Sequence, residues 1–72
     1  MATEEFALAG HEFIELHKLL KITSVALSGG EAKVMVAEGL VTVDGVVELR
    51  KRCKIRAGQI VACNGTTIPV VA

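Results

Sequence analysis

The chain of 72 residues contains no Trp or Tyr, two Phe, one Pro and two Cys. Without Tyr or Trp, recognition of single strands by stacking bases on aromatic rings has little support. Cys53 and Cys63 are too few for a disulfide-stabilised secreted scaffold and are not spaced as zinc ligands. No apolar run approaches the ~20 residues of a membrane-spanning helix, and no signal-peptide pattern is present. We therefore expect a cytoplasmic protein with two reduced thiols.

Acidic residues are absent after Glu48. Residues 1–49 carry three lysines against all eight acids, a balance of −5, whereas residues 50–72 carry +5. The five positive charges fall within positions 50–56, at Arg50, Lys51, Arg52, Lys54 and Arg56. A basic block on a chain of zero net charge predicts an anion-binding surface, and nucleic acid is the commonest large polyanion. The alternative is a solvated strand face that prevents aggregation, although such faces usually mix both signs.

The small size favours a binding domain over an enzyme. A chain of this length buries roughly 60% of its unfolded surface, which leaves little room for a deep pocket. The sequence shows no nucleophile–base pair, ligand cluster or phosphate loop. We expect one domain over residues 1–72, a monomer without catalytic residues, bound metal or cofactor.

Hydrophobic spacing predicts two helices. Phe13, Leu16 and Leu20 indicate an amphipathic helix over about 11–21. Ser28 followed by Glu31 forms a capping-box pattern, which predicts a second helix over 29–38. Gly39 suits the left-handed residue that ends such a helix.

Alternating residues predict strands in 4–8, from Leu40 onward, at 46–47, 59–63 and 67–71. Asp44-Gly45 and Asn64-Gly65 are hairpin-turn pairs. If the basic run is extended, Arg50, Arg52, Lys54 and Arg56 lie on one side, and Lys51 and Cys53 on the other. Pro69 predicts an edge or irregular last strand. The order β-α-α-β-β-β-β indicates an α+β fold, with two helices packed on a small, mostly antiparallel sheet.

An ordered set of residues points to a family: Ser28, Ala32, Gly39, Val41, Val43, Asp44-Gly45, Ile55, Gly58 and Ile60. The set resembles the RNA-binding domain first described in small-subunit ribosomal protein S-four, the alpha-L motif. Its small stand-alone bacterial members, the YbcJ-like proteins, are the most similar. The resemblance implies docking onto structured RNA, such as ribosomal RNA. Gly29 departs from the family's usual Arg, a familiar phosphate contact, and Gln59 replaces its usual Asp.

The predicted RNA-binding residues form two groups. The first is the basic run, Arg50, Lys51, Arg52, Lys54 and Arg56. The second lies at the start of the second helix, where the N–H groups of Gly29, Gly30 and Glu31 could hold a phosphate. There the alternative is capping by Ser28 alone, with Glu31 repelling phosphate. Lys33 occupies a position that is commonly basic in the family, and Lys21 follows the first helix.

The histidines and phenylalanines are not expected to have a role in binding or catalysis. His11 and His17 are not expected to be catalytic or to bind metal, because Glu15 and His17 do not share a helix face. Phe6 and Phe13 are expected in the core. The alternative function is a protein-interaction or carrier module. Carriers of the ubiquitin-like sulfur-transfer type end in Gly-Gly, whereas this chain ends Pro69-Val70-Val71-Ala72; a plain adaptor remains open.

Overall fold

A computed structural model describes residues 2–72. Its elements in chain order are β1 (Ala2–Thr3), β2 (Phe6–Ala7), β3 (Ile14–Glu15), α1 (Leu16–Ile22), α2 (Gly29–Ala37), β4 (Val41–Val43), β5 (Val46–Val47), β6 (Lys54–Ile55), β7 (Ile60–Cys63) and β8 (Thr66–Val71). The predicted α+β class with two helices is confirmed. In this part of the chain, neither helix has the length and apolar character needed to cross a membrane.

The main sheet has the order β1-β8-β7-β4-β5, and β2 also pairs with β8. Its β4–β5, β4–β7 and β7–β8 pairs are antiparallel, whereas β1 and β2 run parallel to β8. β3 and β6 form a separate antiparallel pair. The sheet is therefore mostly antiparallel, as the sequence predicts.

Both predicted hairpin turns are present. Asp44 and Gly45 have φ of 52° and 83°, and Asn64 and Gly65 have φ of 50° and 79°. Two successive positive φ values are those of the type I′ turn that Asp-Gly and Asn-Gly favour. The Asp44 carboxylate also accepts the Ile60 N–H at 2.9 Å, which ties the first hairpin to β7.

Helix α2 begins and ends as the sequence predicts. The Ser28 hydroxyl accepts the Glu31 N–H at 3.1 Å. The Glu31 carboxylate returns one residue earlier than in the usual capping box, to the Leu27 N–H at 3.2 Å. At the other end Gly39 has φ 76° and donates to the Val36 carbonyl, while Leu40 donates to that of Met35. These two bonds form a Schellman motif.

Helix α1 starts five residues later than the prediction of 11–21. Ile14 and Glu15 are extended and pair with Ile55 and Lys54. Only from Leu16 does the chain become helical. A periodic pattern could not reveal this, because a tertiary pairing with a distant segment overrides local spacing.

The basic run is not one extended strand, so the extended conformation considered for residues 50–53 is wrong. Arg50, Arg52, Lys54 and Arg56 nevertheless line one depression, as the alternation predicts. Residues 50–53 form a turn in which the Cys53 N–H donates to the Arg50 carbonyl at 3.0 Å. Only Lys54 and Ile55 lie in a strand. The turn returns the chain to the start of α1, where the carbonyls of Lys51 and Cys53 accept hydrogen bonds.

Pro69 does not lie on an edge strand. β8 has β7 on one side and both β1 and β2 on the other. The N–H of Val70 donates to Gln59. Alternation along the strand therefore turns the nitrogen of Pro69 away from β7. It falls between the residues paired with β1 and those paired with β2. Pro69, which has no N–H, thus lies where β8 has no parallel partner, between its pairing with β1 and its pairing with β2.

Aliphatic side chains from both helices and the sheet form the core. The largest fully buried residues are Leu16, Leu19, Leu20, Val36, Val41, Ile55, Val61, Ile68 and Val70. Phe6 is half-buried against this core, as predicted. Phe13 is also half-buried, but its ring lies beside two cationic side chains.

Gly39→Ala should lower stability by about 1–2 kcal/mol, the cost of a left-handed residue with a Cβ. The added Cβ would lie 3.7 Å from Val47 and 3.9 Å from Leu49, ordinary contacts, so the backbone angle causes the effect. Gly30→Ala, inside α2, is the matched control and should stabilise by up to ~1 kcal/mol. Urea unfolding measures both, and equal shifts would contradict the assigned helix end.

Candidate nucleic-acid interface

Four basic side chains surround one shallow depression. Its volume is about 460 Å³, and its lining consists of Arg50, Arg52, Cys53, Lys54 and Arg56. All four basic residues are exposed. We call Arg50, Arg52, Lys54 and Arg56 the basic cluster. Lys51, the fifth predicted residue of this run, is exposed but does not line the depression.

The backbone around the basic cluster is fixed by α1. The N–H of Leu16 donates to the Cys53 carbonyl at 2.9 Å, and that of His17 to the Lys51 carbonyl at 3.0 Å. The first N–H groups of a helix lack partners within the helix, so these carbonyls satisfy them. Ile55, fully buried, anchors the other end of the segment in the core. The exposed cations therefore extend from an ordered backbone.

Phe13 contacts two members of the basic cluster. The Lys54 ammonium lies 4.9 Å from the centroid of its ring, and the Arg56 guanidinium carbon lies 5.7 Å away. Both distances are within the range of a cation–π interaction. The sequence predicts Phe13 in the core and does not reveal this contact, because the two partners are some forty residues away along the chain.

Glu48 holds Arg50 in place. Its carboxylate accepts from the Arg50 Nε at 2.9 Å, from Nη2 at 3.0 Å and from the backbone N–H at 3.0 Å. Hydrogen bonds from the guanidinium, and then from the backbone, lower the pKa of Glu48 to about 2. Arg50 is therefore oriented, but its charge is locally balanced by a carboxylate from the acidic part of the chain.

Glu15 lies beside the basic cluster as well. Its carboxylate is 3.3 Å from the Lys18 ammonium and 3.4 Å from His17 Nε2. The hydrogen bond from Lys18 lowers the pKa of Glu15, and the charge of Arg52 acts in the same direction. In a single helix Glu15 and His17 would lie on different faces. The two meet because Glu15 lies in the strand before α1.

Among residues 2–72, four cations of the basic run have no carboxylate within 4.0 Å: Lys51, Arg52, Lys54 and Arg56. Three of these line the depression. A concentration of uncompensated charge around a concave surface attracts anions and raises their local concentration.

The predicted residues at the start of α2 form a separate group. The Glu31 N–H, one of the proposed phosphate donors, is taken by Ser28, and the Glu31 carboxylate lies at the same helix end. Ser28, Gly29, Gly30, Lys33 and Lys21 do not line the depression of the basic cluster, and no ion pair within residues 2–72 joins them to it. Lys21 and Lys33 are exposed on their helices. A role for this group in binding stays a prediction.

The two cysteines are unpaired. Burial raises the pKa of both thiols, which disfavours the thiolate form that reacts and binds metal. Within the described chain, no three His, Cys, Asp or Glu side chains are grouped so as to hold a metal ion.

The chain is a small α+β domain with a basic face, and comparison with known proteins identifies its family. The chain matches the S4 domain over residues 6–71 and belongs to that family. This confirms the resemblance inferred from the spacing of Ser28, Gly39, Asp44-Gly45 and Gly58.

Individual relatives match over the full length. The chain is 53% identical over 72 residues to the Escherichia coli (strain K12) protein named "Putative RNA-binding protein YbcJ", with both chains wholly covered. "Uncharacterized protein YbcJ" of Shigella flexneri is similar to the same extent. The solution structure of YbcJ from E. coli, described as revealing an alpha-L motif involved in RNA-binding, matches with a TM-score of 0.74. That match has 51% identity and covers 94% of this chain and 86% of the other.

Glu48→Gln should reduce stability at neutral pH and not near pH 2. The pKa of Glu48 is about 2 in the folded protein and roughly 4.3 when unfolded, so its contribution is present above pH 4.3 and lost as the pH falls toward 2. Urea midpoints measured from pH 7 to pH 2 should therefore converge for the two proteins.

Glu12→Gln is the control, because Glu12 is exposed and has no ion-pair partner within residues 2–72. Its urea midpoint should follow that of the unsubstituted protein throughout. A difference for Glu48→Gln that stays constant down to pH 2 would contradict the ion pair.

Proposed function

We propose that this chain is a small RNA-binding protein that docks its basic cluster onto the phosphate backbone of structured RNA and catalyses no reaction. One observation carries the proposal: Arg50, Arg52, Lys54 and Arg56 converge on a single depression whose backbone is hydrogen-bonded to the start of α1. Membership of the S4 domain family and the printed description of the E. coli relative support it.

The geometry favours recognition of RNA by its shape and backbone. The cluster is shallow, cationic and lined by flexible side chains, which suits phosphates that are spaced along a strand. Sequence-specific reading of single strands usually needs several aromatic platforms, and the chain has only Phe6 and Phe13. A folded RNA such as ribosomal RNA offers phosphates at fixed positions, and we propose it as the ligand class.

We further propose that the protein acts as a cytoplasmic monomer without a cofactor. Its unpaired thiols, whose pKa values are raised by burial, suit a reducing compartment. Ser28, Gly29, Gly30, Lys21 and Lys33 are proposed as a secondary contact along the same RNA. Lys51, outside the depression, is proposed to reach a neighbouring phosphate.

Replacing Arg52 and Lys54 together by Gln should weaken RNA binding and its salt dependence. Each lost phosphate contact makes the slope of log K against log salt shallower by about 0.7–0.9. The slope of the double variant should therefore be shallower by about 1.4–1.8. Both side chains are exposed, so the fold is retained. Fluorescence anisotropy with a labelled RNA hairpin at several salt concentrations measures the slope.

A matched control separates local from total charge. Thr3→Glu changes the net charge by the same amount as Arg52→Gln. Thr3 lies opposite Thr67 on β8. The turn at Arg56–Gly58 contacts the same strand at Val70, about 10 Å further along. Thr3→Glu should leave the slope unchanged, whereas Arg52→Gln should make it shallower. Equal slopes for the two variants would refute the assignment of this face.

A further inference from the structure

A second depression adjoins the basic cluster and differs from it in character. It is a groove of about 560 Å³ with a mainly apolar lining: Phe6, Leu8, His11, Phe13, Ile14, Glu15, Lys18 and Ile22. This volume is within the range of pockets that bind small organic ligands. The RNA docking by the basic cluster that is proposed above does not involve this groove.

Phe13 joins the groove to the basic cluster. Its ring lines the groove, and the Lys54 ammonium and the Arg56 guanidinium lie over the same ring. The next residues, Ile14 and Glu15, also line the groove and pair directly with Ile55 and Lys54. An RNA whose phosphates lie on the basic cluster therefore has the groove within reach of its next nucleotide.

The chemistry of the groove selects a neutral, planar group. Glu15 places a carboxylate in the lining, which repels a phosphate, although it can accept hydrogen bonds from the amino group of a base. Lys18, 3.3 Å from that carboxylate, can donate to a ring carbonyl or nitrogen. Phe13 supplies an aromatic surface on which a base can stack.

We propose that this groove receives one unpaired base of the RNA whose backbone lies on the basic cluster. The inference rests on the proposed function, and it adds a preference for RNA in which a helix is interrupted by a bulged or looped-out nucleotide. The paired regions are held by the cations, and the projecting base is held by Phe13, Ile22 and Glu15.

The test uses five RNA hairpins that share one stem. Four carry a single projecting nucleotide, A, C, G or U, and the fifth is fully paired. At least one projecting-base hairpin should bind the intact protein fivefold or more tightly than the paired hairpin, the lower limit expected for one stacked base. A 2-aminopurine at the projecting position should lose fluorescence on binding, which reports stacking directly.

Two variants assign the effect to the groove. Phe13→Leu keeps an apolar side chain but removes the ring, so it should abolish both the preference and the 2-aminopurine quenching. Ile22→Gln changes a lining residue that is 60% exposed and should weaken the same preference, even if Phe13→Leu fails to fold. Val34→Gln is its control, because Val34 is 54% exposed on α2 and does not line the groove.

The outcomes distinguish this inference from the proposed function. If the protein binds all five hairpins equally, or if Ile22→Gln keeps the full preference and the 2-aminopurine quenching, the base site is refuted and the basic face stands. If the protein binds none of the hairpins at low salt, the proposed function fails and the base site fails with it.

Discussion

Two backbone hydrogen bonds at the start of α1 determine where the basic cluster lies. The N–H groups of Leu16 and His17 would lack partners within the helix, and the carbonyls of Cys53 and Lys51 accept them. The β3–β6 pair and the burial of Ile55 continue the same attachment. The backbone of this segment is thus attached to α1 and β3, and the cationic side chains project from it into solvent.

The charge distribution is more selective than the count of five basic residues implies. Glu48 balances Arg50 and fixes its guanidinium, and Glu15 is paired with Lys18 and is affected by the charge of Arg52. Within residues 2–72, Arg52, Lys54 and Arg56 are therefore the cations of the depression that have no carboxylate within 4.0 Å. Arg50, with its orientation fixed by Glu48, is better suited to a directed hydrogen bond than to general attraction. A chain of zero net charge can thus present a cationic face, because its acidic residues lie in the other part of the sequence.

Local signals in the sequence predicted much of this fold. Asp44-Gly45, Asn64-Gly65, the Ser28 cap and Gly39 each act within a few residues, and each is present as predicted. The errors arose from distant partners: Ile14 pairs with Ile55 across forty residues, which shortened α1 and bent the basic run. For the candidate site, clustering of charge was visible in the sequence. The contacts that Phe13, Glu15 and Glu48 make with charged side chains of the site could not be predicted from the spacing of residues in the sequence.

We propose that RNA meets the protein at the segment attached to α1. An NMR titration of the ¹⁵N-labelled protein with a structured RNA hairpin tests it most directly. We predict that the largest amide shift changes fall in residues 50–56 and at Leu16 and His17, whose N–H groups bond to that segment. Changes confined to the β4–β5 hairpin or to the first turn of α2, with residues 50–56 unmoved, would contradict the account.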